Sequence, residues 1–529
     1  MLKWLKRFFG RWKNKHKDPV AEPDPVVAVT VDDAEATTEG ASTVLINATV
    51  SPPGGTTASS IGVYSDAITF TFDTSYTVGT YWNGDPWVNR GGGSVTITSI
   101  SPVGLGDGAV AASTGADRVR NGAMLNWNTG AEADDSFANI YWGSEAQAFD
   151  SHQPTSASYL SYIDARQDDP TLSGASLVVS AEGAVLKAKS NIDADLGTGG
   201  AARGTVVADL GLLTIVDTSP PASAFRPGAH TLTKAHRWTI ADVDHSLVPS
   251  GLTAPASTPS YAAALNKVER HHIMGSLHYD KLRVLMPQNH MMNYGQNNAA
   301  EIIDAVLTAM TDSVTTGERE TLLNSVVQIG IDVYDRYNEG GRWHVNGGLY
   351  RGYKLPLVLA ATLLDDAGMK TVAGINPTTG ANVWDAFGDD RAIWYLTSSD
   401  TGRSLDVGHE EYLVADEGDP EWGEQHTYNA SRDDRREDAT YRDINTRGIV
   451  GAALACQMIT GARANWNWQA HFDYADRIME RDFYASGETL TWGGTNFIAN
   501  YSGSNPVPQF QKDMWSSFRA SYGNAVWNR

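Results

Sequence analysis

The chain has 529 residues, enough for roughly two to four domains, and its apolar and aromatic content is that of a folded protein, not a disordered one. Its net charge is −22, and the first 17 residues hold seven Lys/Arg and no acid, so the remaining chain is more acidic still. Such a field repels a phosphate backbone and argues against nucleic acid as partner, but an anionic polysaccharide stays open, because a local basic pocket can hold one acidic sugar.

Residues 1–17 read as a basic amphipathic helix. Leu2, Leu5, Phe9 and Trp12 recur at spacings of three and four, Trp4 and Phe8 widen the stripe, and lysines and arginines fill the rest. This pattern suits docking into a partner's groove or lying on an anionic membrane surface; otherwise it is a solvated tail. Charges interrupt the apolar residues, so a secretory h-region is not expected. No run of about 18 apolar residues suggests a membrane span. Residues 18–41, with Pro19, Pro23 and Pro25 among many acids, read as a flexible linker. A sticky helix on a linker could tether an effector to a virion or multi-enzyme particle, which implies an extracellular or virion-associated home.

Strand signals dominate residues 42–226. Val44–Val50, Ala67–Phe72, Val95–Ile100, Leu177–Lys189 and Val206–Val216 are β-branched or alternating runs punctuated by Gly, Pro, Asn, Asp and Ser. They predict an antiparallel β-sandwich region of one or two modules. Tyr81, Trp82 and Trp87 surround an Asn83-Gly-Asp-Pro86 turn. They could stack on sugar or pack the edge of the sandwich. The segment Tyr76–Val88 resembles a module of predicted marine bacterial and phage-encoded proteins that often precedes a helical domain.

Residues 227–529 change period. Ile302, Val306 and Met310 form one helical stripe, and Leu322, Val326, Ile329 and Val333 another. Leu355–Leu364, Ile449–Ile459 and Phe472–Met479 are further helical stretches, and helices are expected to begin near Tyr261, Asp385 and Asp513. Cys456 lies in an apolar run and reads as a buried, inert thiol. As the only cysteine it excludes an intrachain disulfide and a cysteine-based zinc knuckle. Helical hairpins of this number can curl into an (α/α) toroid whose alternate loops surround a cleft on one face.

Three polar, aromatic, glycine-punctuated clusters fall between these helices: Asn289–Asn298, Gly340–Lys354 and Pro420–Asn429, the last followed by Tyr441, Arg442 and Arg447. Loops of this composition are functional more often than connecting. They hold the groups that β-elimination of a uronate glycan requires. One group neutralises the carboxylate, a base removes the C5 proton, and an acid protonates the leaving oxygen. The candidates are His426 and Tyr441 for base and acid, and Arg447, Asn298 or His344 for the carboxylate. Arg442, Arg342, Trp343, Tyr353, Trp422 and Asn297 are candidate substrate contacts. Tyr441 and Arg447 would lie within two turns of one helix.

This set of residue types resembles the (α/α)-toroid polysaccharide lyases, such as the alginate and heparinoid lyases. The resemblance implies Tyr/His acid–base pairs and an Asn, Gln or His neutraliser, but no Asn-Asn-His signature stands beside the candidate tyrosine. A glycoside hydrolase would instead need two carboxylates about 5–5.5 or 6.5–9.5 Å apart, with Glu410, Glu411, Glu421, Glu424 and Asp335 as candidates. A glycan-gripping adhesin without catalysis is the third reading. No cofactor or metal is expected: His271-His272 and His409-Glu410-Glu411 lack HExxH spacing, and neither a P-loop nor a Gly-x-Ser-x-Gly elbow is present. Trp466, Trp468, His471, Asp476 and Arg477 form a dense stretch that reads equally as core packing, with an ion pair such as Asp476–Arg447, or as a substrate site.

Overall fold

The structure is a computed structural model that describes residues 55–63, 68–102, 123–125, 176–190, 207–228, 234–269, 295–338, 342–343, 351–377, 387–400, 414–422, 447–481, 491–492, 495–496 and 507–523. The expected docking helix, the linker and the strand at Val44–Val50 lie outside the described residues. Val50–Arg529 cluster as one compact unit.

Eight strands make one sheet: β1 (Thr56–Val63), β2 (Ile68–Thr80), β3 (Pro86–Asn89), β4 (Val95–Ser101), β5 (Ala123–Leu125), β6 (Leu177–Val179), β7 (Gly183–Ser190) and β8 (Val207–Val216). Their order is β5-β7-β8-β3-β2-β4-β6, with β1 on β2. Alternation in β2 and β4 sends Ile68, Phe70, Phe72, Val95 and Ile97 into one core with Val185, Leu213 and Ile215. The described parts of β7 and β8 are buried without alternation, as expected of strands covered on both sides. Two details differ from the sequence expectation. The run Leu177–Lys189 is two strands, because a bend at Ala181 and Glu182 sends β6 to β4 and β7 to β8. And β3 pairs with β8 in parallel, Trp87 opposite Thr214, within an otherwise antiparallel set of pairings.

The Asn-Gly-Asp-Pro turn forms as its residues suggest. Gly84 takes a φ of 86°, and Asn83 accepts from the Asp85 amide at 3.2 Å. Gly79 lies opposite Trp87, and a Cβ there would come within 2.4 Å of the indole. Trp87 and Tyr81 are therefore interior, packed with Val216 and Ala224. Trp82 meets Phe225 edge-on at 5.6 Å. Of the two roles open to these aromatics, packing is the one this geometry serves.

The helices are α1 (Tyr261–Leu265), α2 (Gly295–Thr308), α3 (Thr316–Asn338), α4 (Lys354–Leu363), α5 (Ala367–Ala373), α6 (Gly388–Arg391), α7 (Val450–Met458), α8 (Ala462–Trp466), α9 (Gln469–Arg481) and α10 (Gln509–Phe518). A capping box starts α3: Glu318 N–H donates to Thr315 Oγ1 at 3.3 Å, and Thr315 N–H to Glu318 Oε2 at 2.8 Å. Residues 322–333 of α3 and all of α4 and α7 are buried, so these three helices form the centre of the helical core. Cys456 is buried inside α7, and burial raises its thiol pKa, which keeps it protonated and unreactive. α10 begins at Gln509 after Pro508, earlier than the expected start at Asp513. The expected start at Asp385 lies outside the described residues; α6 begins at Gly388. No helix of the described residues is long and apolar enough to cross a membrane.

The α3–α4 contact depends on Gly330. A Cβ there would stand 2.2 Å from the Pro356 carbonyl oxygen and 2.6 Å from Ala360 Cβ. Alanine in place of glycine gains about 1 kcal/mol of intrinsic helix stability. Here overpacking outweighs that gain, so Gly330→Ala is expected to destabilise by about 1–3 kcal/mol in denaturant unfolding; a neutral or stabilising result would show that the two helices have room to part.

Candidate functional site

The ends of the second cluster are held by aromatic stacking. Trp343 lies parallel to Phe387, with ring centroids 5.4 Å apart at 7°, and its indole also stacks on Tyr353 at 5.3 Å. Gly388 N–H donates to the Trp343 carbonyl at 2.7 Å. Arg342 sits over the Tyr337 ring at 3.9 Å and donates to the Tyr337 carbonyl at 2.8 Å. At the other end Gly352 has a φ of 91°, and its missing Cβ would lie 2.7 Å from Ala299 Cα. Only glycine lets that loop close onto the first turns of α2, where Asn298 is buried.

Below this aromatic layer lies a buried group of charges. Lys354 pairs with Asp390 and donates to the Trp466 carbonyl at 2.8 Å. Trp466 Nε1–H donates to the second Asp390 oxygen at 2.7 Å. Burial pushes the Asp390 pKa up to about 6, with Lys354 and the Trp466 bond opposing and Asp389 adding to the rise. Asp389 is also raised by burial, against the pull of Arg351 and the Gly352 amide, whose N–H lies 3.2 Å from Asp389 Oδ1. His471 packs on the Trp466 ring at 4.3 Å. Burial first, then the charges of Lys354 and Arg351, hold it well below the usual imidazole range, so it is neutral. Its ring nitrogens make no hydrogen bond of good geometry among the described residues, although the Asp389 backbone acts on it.

The third cluster is anchored to the same region. Residues 393–395 form β9 and 420–422 form β10, an antiparallel pair with Trp422 opposite Ile393. Trp422 is buried. Glu421 accepts from the Trp422 amide at 2.9 Å and from Arg477 of α9 at 3.1 Å, one bond on each carboxylate oxygen. Trp468 Nε1–H donates to the Ile393 carbonyl at 2.9 Å, and Tyr395 bonds Asp473. Asp476 takes Arg519 in a two-pronged pair at 2.7 and 2.8 Å. The dense Trp466–Arg477 stretch is thus a packed framework, and Arg519 is a partner of Asp476 that spacing along the chain did not reveal.

Of the candidate residues, His344, His426, Tyr441, Arg442, Glu410, Glu411 and Glu424 lie outside the described residues. Asn297 belongs to α2. Trp343, Tyr353 and Trp422 are interior: Trp343 is only 2% exposed, with its faces taken by Phe387 and Tyr353. They support the loops rather than offer a sugar an open face. Arg447 is exposed, and it stands in a turn just before α7, not inside a helix. Asp335 is buried near the junction of sheet and helices. The structure brings together the described edges of all three clusters: Asn298 and Ala299 beside Gly352, Trp343 on Phe387, and Trp422 on Ile393, with Phe387 and Ile393 six residues apart in one segment. The supporting residues Phe387, Asp389, Asp390 and Arg351 gave little local signal, because an Asp-Asp pair in an acidic chain is unremarked. Among the described residues no group of three His, Cys, Asp or Glu could hold a metal ion.

No family model matches the chain, and the searches of curated proteins and of solved structures also gave no match.

Proposed function

We propose that the protein is a polysaccharide lyase that depolymerises a uronate-containing polysaccharide by β-elimination. The single observation that supports this is the gathering of the described edges of the three loop clusters: the second and third rest on residues 387–395 and the first meets the second at Gly352, and their side chains are the ones such chemistry needs. The reading treats residues 227–529 as hairpins of an (α/α) toroid behind a β-sandwich region at 42–226. In it Arg447, which is exposed, and His344 neutralise the uronate carboxylate. Either His426 or Tyr441 removes the C5 proton, and the other protonates the glycosidic oxygen as the C4–O bond breaks. Each cleavage leaves one C4–C5 double bond and one new reducing end. Residues 1–17 are assigned to docking on a virion or particle protein, which suits a phage or prophage depolymerase acting outside the cell.

The test is incubation with alginate and other uronate-rich glycans. Rising absorbance in the unsaturated-uronate band, with reducing ends in equal number, is the expected result. New reducing ends without that absorbance would replace the lyase by a hydrolase. Retention of glycan with neither product would replace it by an adhesin. The hydrolase reading gains nothing from Glu421, both of whose oxygens are already engaged.

A further inference from the structure

The sheet meets the helical body through a buried group of charges that the proposed chemistry does not use. Arg226, fully buried, donates through Nε to Asp85 Oδ2 at 2.7 Å and through Nη2 to Asp332 Oδ2 at 2.5 Å. Asp85 belongs to the β2–β3 turn and Asp332 to α3. The Arg226 backbone is gripped by Gln328 of α3 at both its amide and its carbonyl, each at 3.0 Å. Trp82 N–H donates to the Ala224 carbonyl at 3.2 Å, and Trp82 rests on the helical core. One guanidinium therefore joins a carboxylate from the sheet to a carboxylate from the longest described helix.

The second oxygen of Asp332 makes this joint sensitive to protons. Asp332 Oδ1 is buried and has no hydrogen-bond donor among the described residues, a costly position for an ionised carboxylate. Other groups crowd the site. Asp335 of α3 lies so close to the chain at Gly228 that a Cβ there would stand 2.0 Å from its carboxyl carbon. Arg336 is buried one residue on, and Lys234 donates to the Gly228 carbonyl at 2.7 Å. Tyr81 lies within the field of Arg226 and Asp85, and Glu182 accepts from the Lys234 amide at 3.1 Å. Burial raises the Asp332 pKa to about 7; Arg226 pulls it down, while Asp335 and Asp85 push it up.

We propose that Asp85, Arg226 and Asp332 form a proton-operated latch between sheet and helical body, tight while the Asp332 carboxyl keeps its proton and loosened when that proton passes to solvent. The sign follows from linkage. A carboxyl whose pKa is raised on folding stabilises the fold fully below the ordinary carboxylate range. That contribution is lost as pH rises, and the loss is complete once pH has passed the folded value of about 7. The latch thus holds in mildly acidic surroundings and eases in alkaline ones.

Thermal unfolding of the full chain and of Asp332→Asn, from about pH 5 to about pH 8, tests this. Asparagine keeps the shape without the charge. The native melting temperature is expected to fall relative to the variant by about 2 °C across that range; parallel curves would overturn the latch. Should Asp332→Asn fail to fold, Asp85→Asn serves, because removal of that neighbouring charge moves the native step to lower pH, and an unmoved step would overturn it equally. Hydrogen exchange on the native chain adds a local readout. After correction for intrinsic rates, residues 81–88 and 324–332 should lose protection at the higher pH while 450–458 do not; unchanged relative protection at 81–88 and 324–332 contradicts the proposal.

Discussion

Replacing Lys354 by methionine is expected to destabilise the fold by about 3–5 kcal/mol, the usual cost of leaving a buried charge without its partner. Lys354 stands at the start of α4 and is fully buried, and its ammonium meets both Asp390 and the Trp466 carbonyl. Methionine fills the stem but supplies no donor. Among the described residues, the Asp390 carboxylate then keeps only the indole N–H of Trp466 at 2.7 Å. The loss depends on pH in a definite direction. Asp390 already has its pKa raised to about 6 by burial, with Lys354 holding it down. Without Lys354 it rises further, so the variant keeps losing stability with increasing pH over a range where Asp390 no longer contributes to the change in the native chain. The penalty shrinks on the acid side, where Asp390 is neutral in both proteins. A second substitution, Asp390→Asn, removes the stranded charge and leaves an acceptor for Trp466. The double variant should recover much of the loss in denaturant unfolding. No recovery would show that Lys354 matters for its packing rather than its charge.

Much of the fold follows from hydrophobic period. β2, β4 and β8 lie on the expected β-branched runs, and α2, α3, α4, α7 and α9 lie on the expected helical stripes. These patterns are local: each strand or helix shows its own buried face in its own residues. Pairing is not local. The parallel match of β3 with β8 brings together residues more than a hundred positions apart, and nothing in Pro86–Asn89 names Val216 as its neighbour. The break at Ala181 and Glu182 was hidden because both halves of Leu177–Lys189 carry strand formers. A bend is set there by the two different partners, β4 and β8.

The site was legible in a different degree. Composition singled out the loop clusters, and their described edges do share one framework. But an indole in a glycine-rich loop reads the same whether it faces water or fills a core. Trp343 and Trp422 are interior because Phe387 and the β9–β10 pair cover them, and those partners lie far along the chain. The charged group beneath was hidden for the same reason. Lys354, Asp390, Trp466 and His471 span more than a hundred residues, and each by itself is an ordinary side chain in an acidic protein. Asp476 shows the limit plainly: Arg519, which pairs with it through two bonds, lies far along the chain, and nothing beside Asp476 points to it.

The central claim is that His426 and Tyr441 carry out proton transfer on a uronate glycan. Removing either group should slow elimination by about 10²–10⁴-fold, the usual contribution of a positioned acid or base. Because the two act on one bond-breaking event, the losses should not add, and the double variant should be little slower than the worse single one. The most direct measurement is the rate of unsaturated-uronate formation by His426→Ala combined with Tyr441→Phe, on whichever uronate glycan the native chain cleaves. The account predicts a loss of at least about 100-fold with an unchanged unfolding midpoint. Elimination that persists at the native rate in a folded double variant would contradict it.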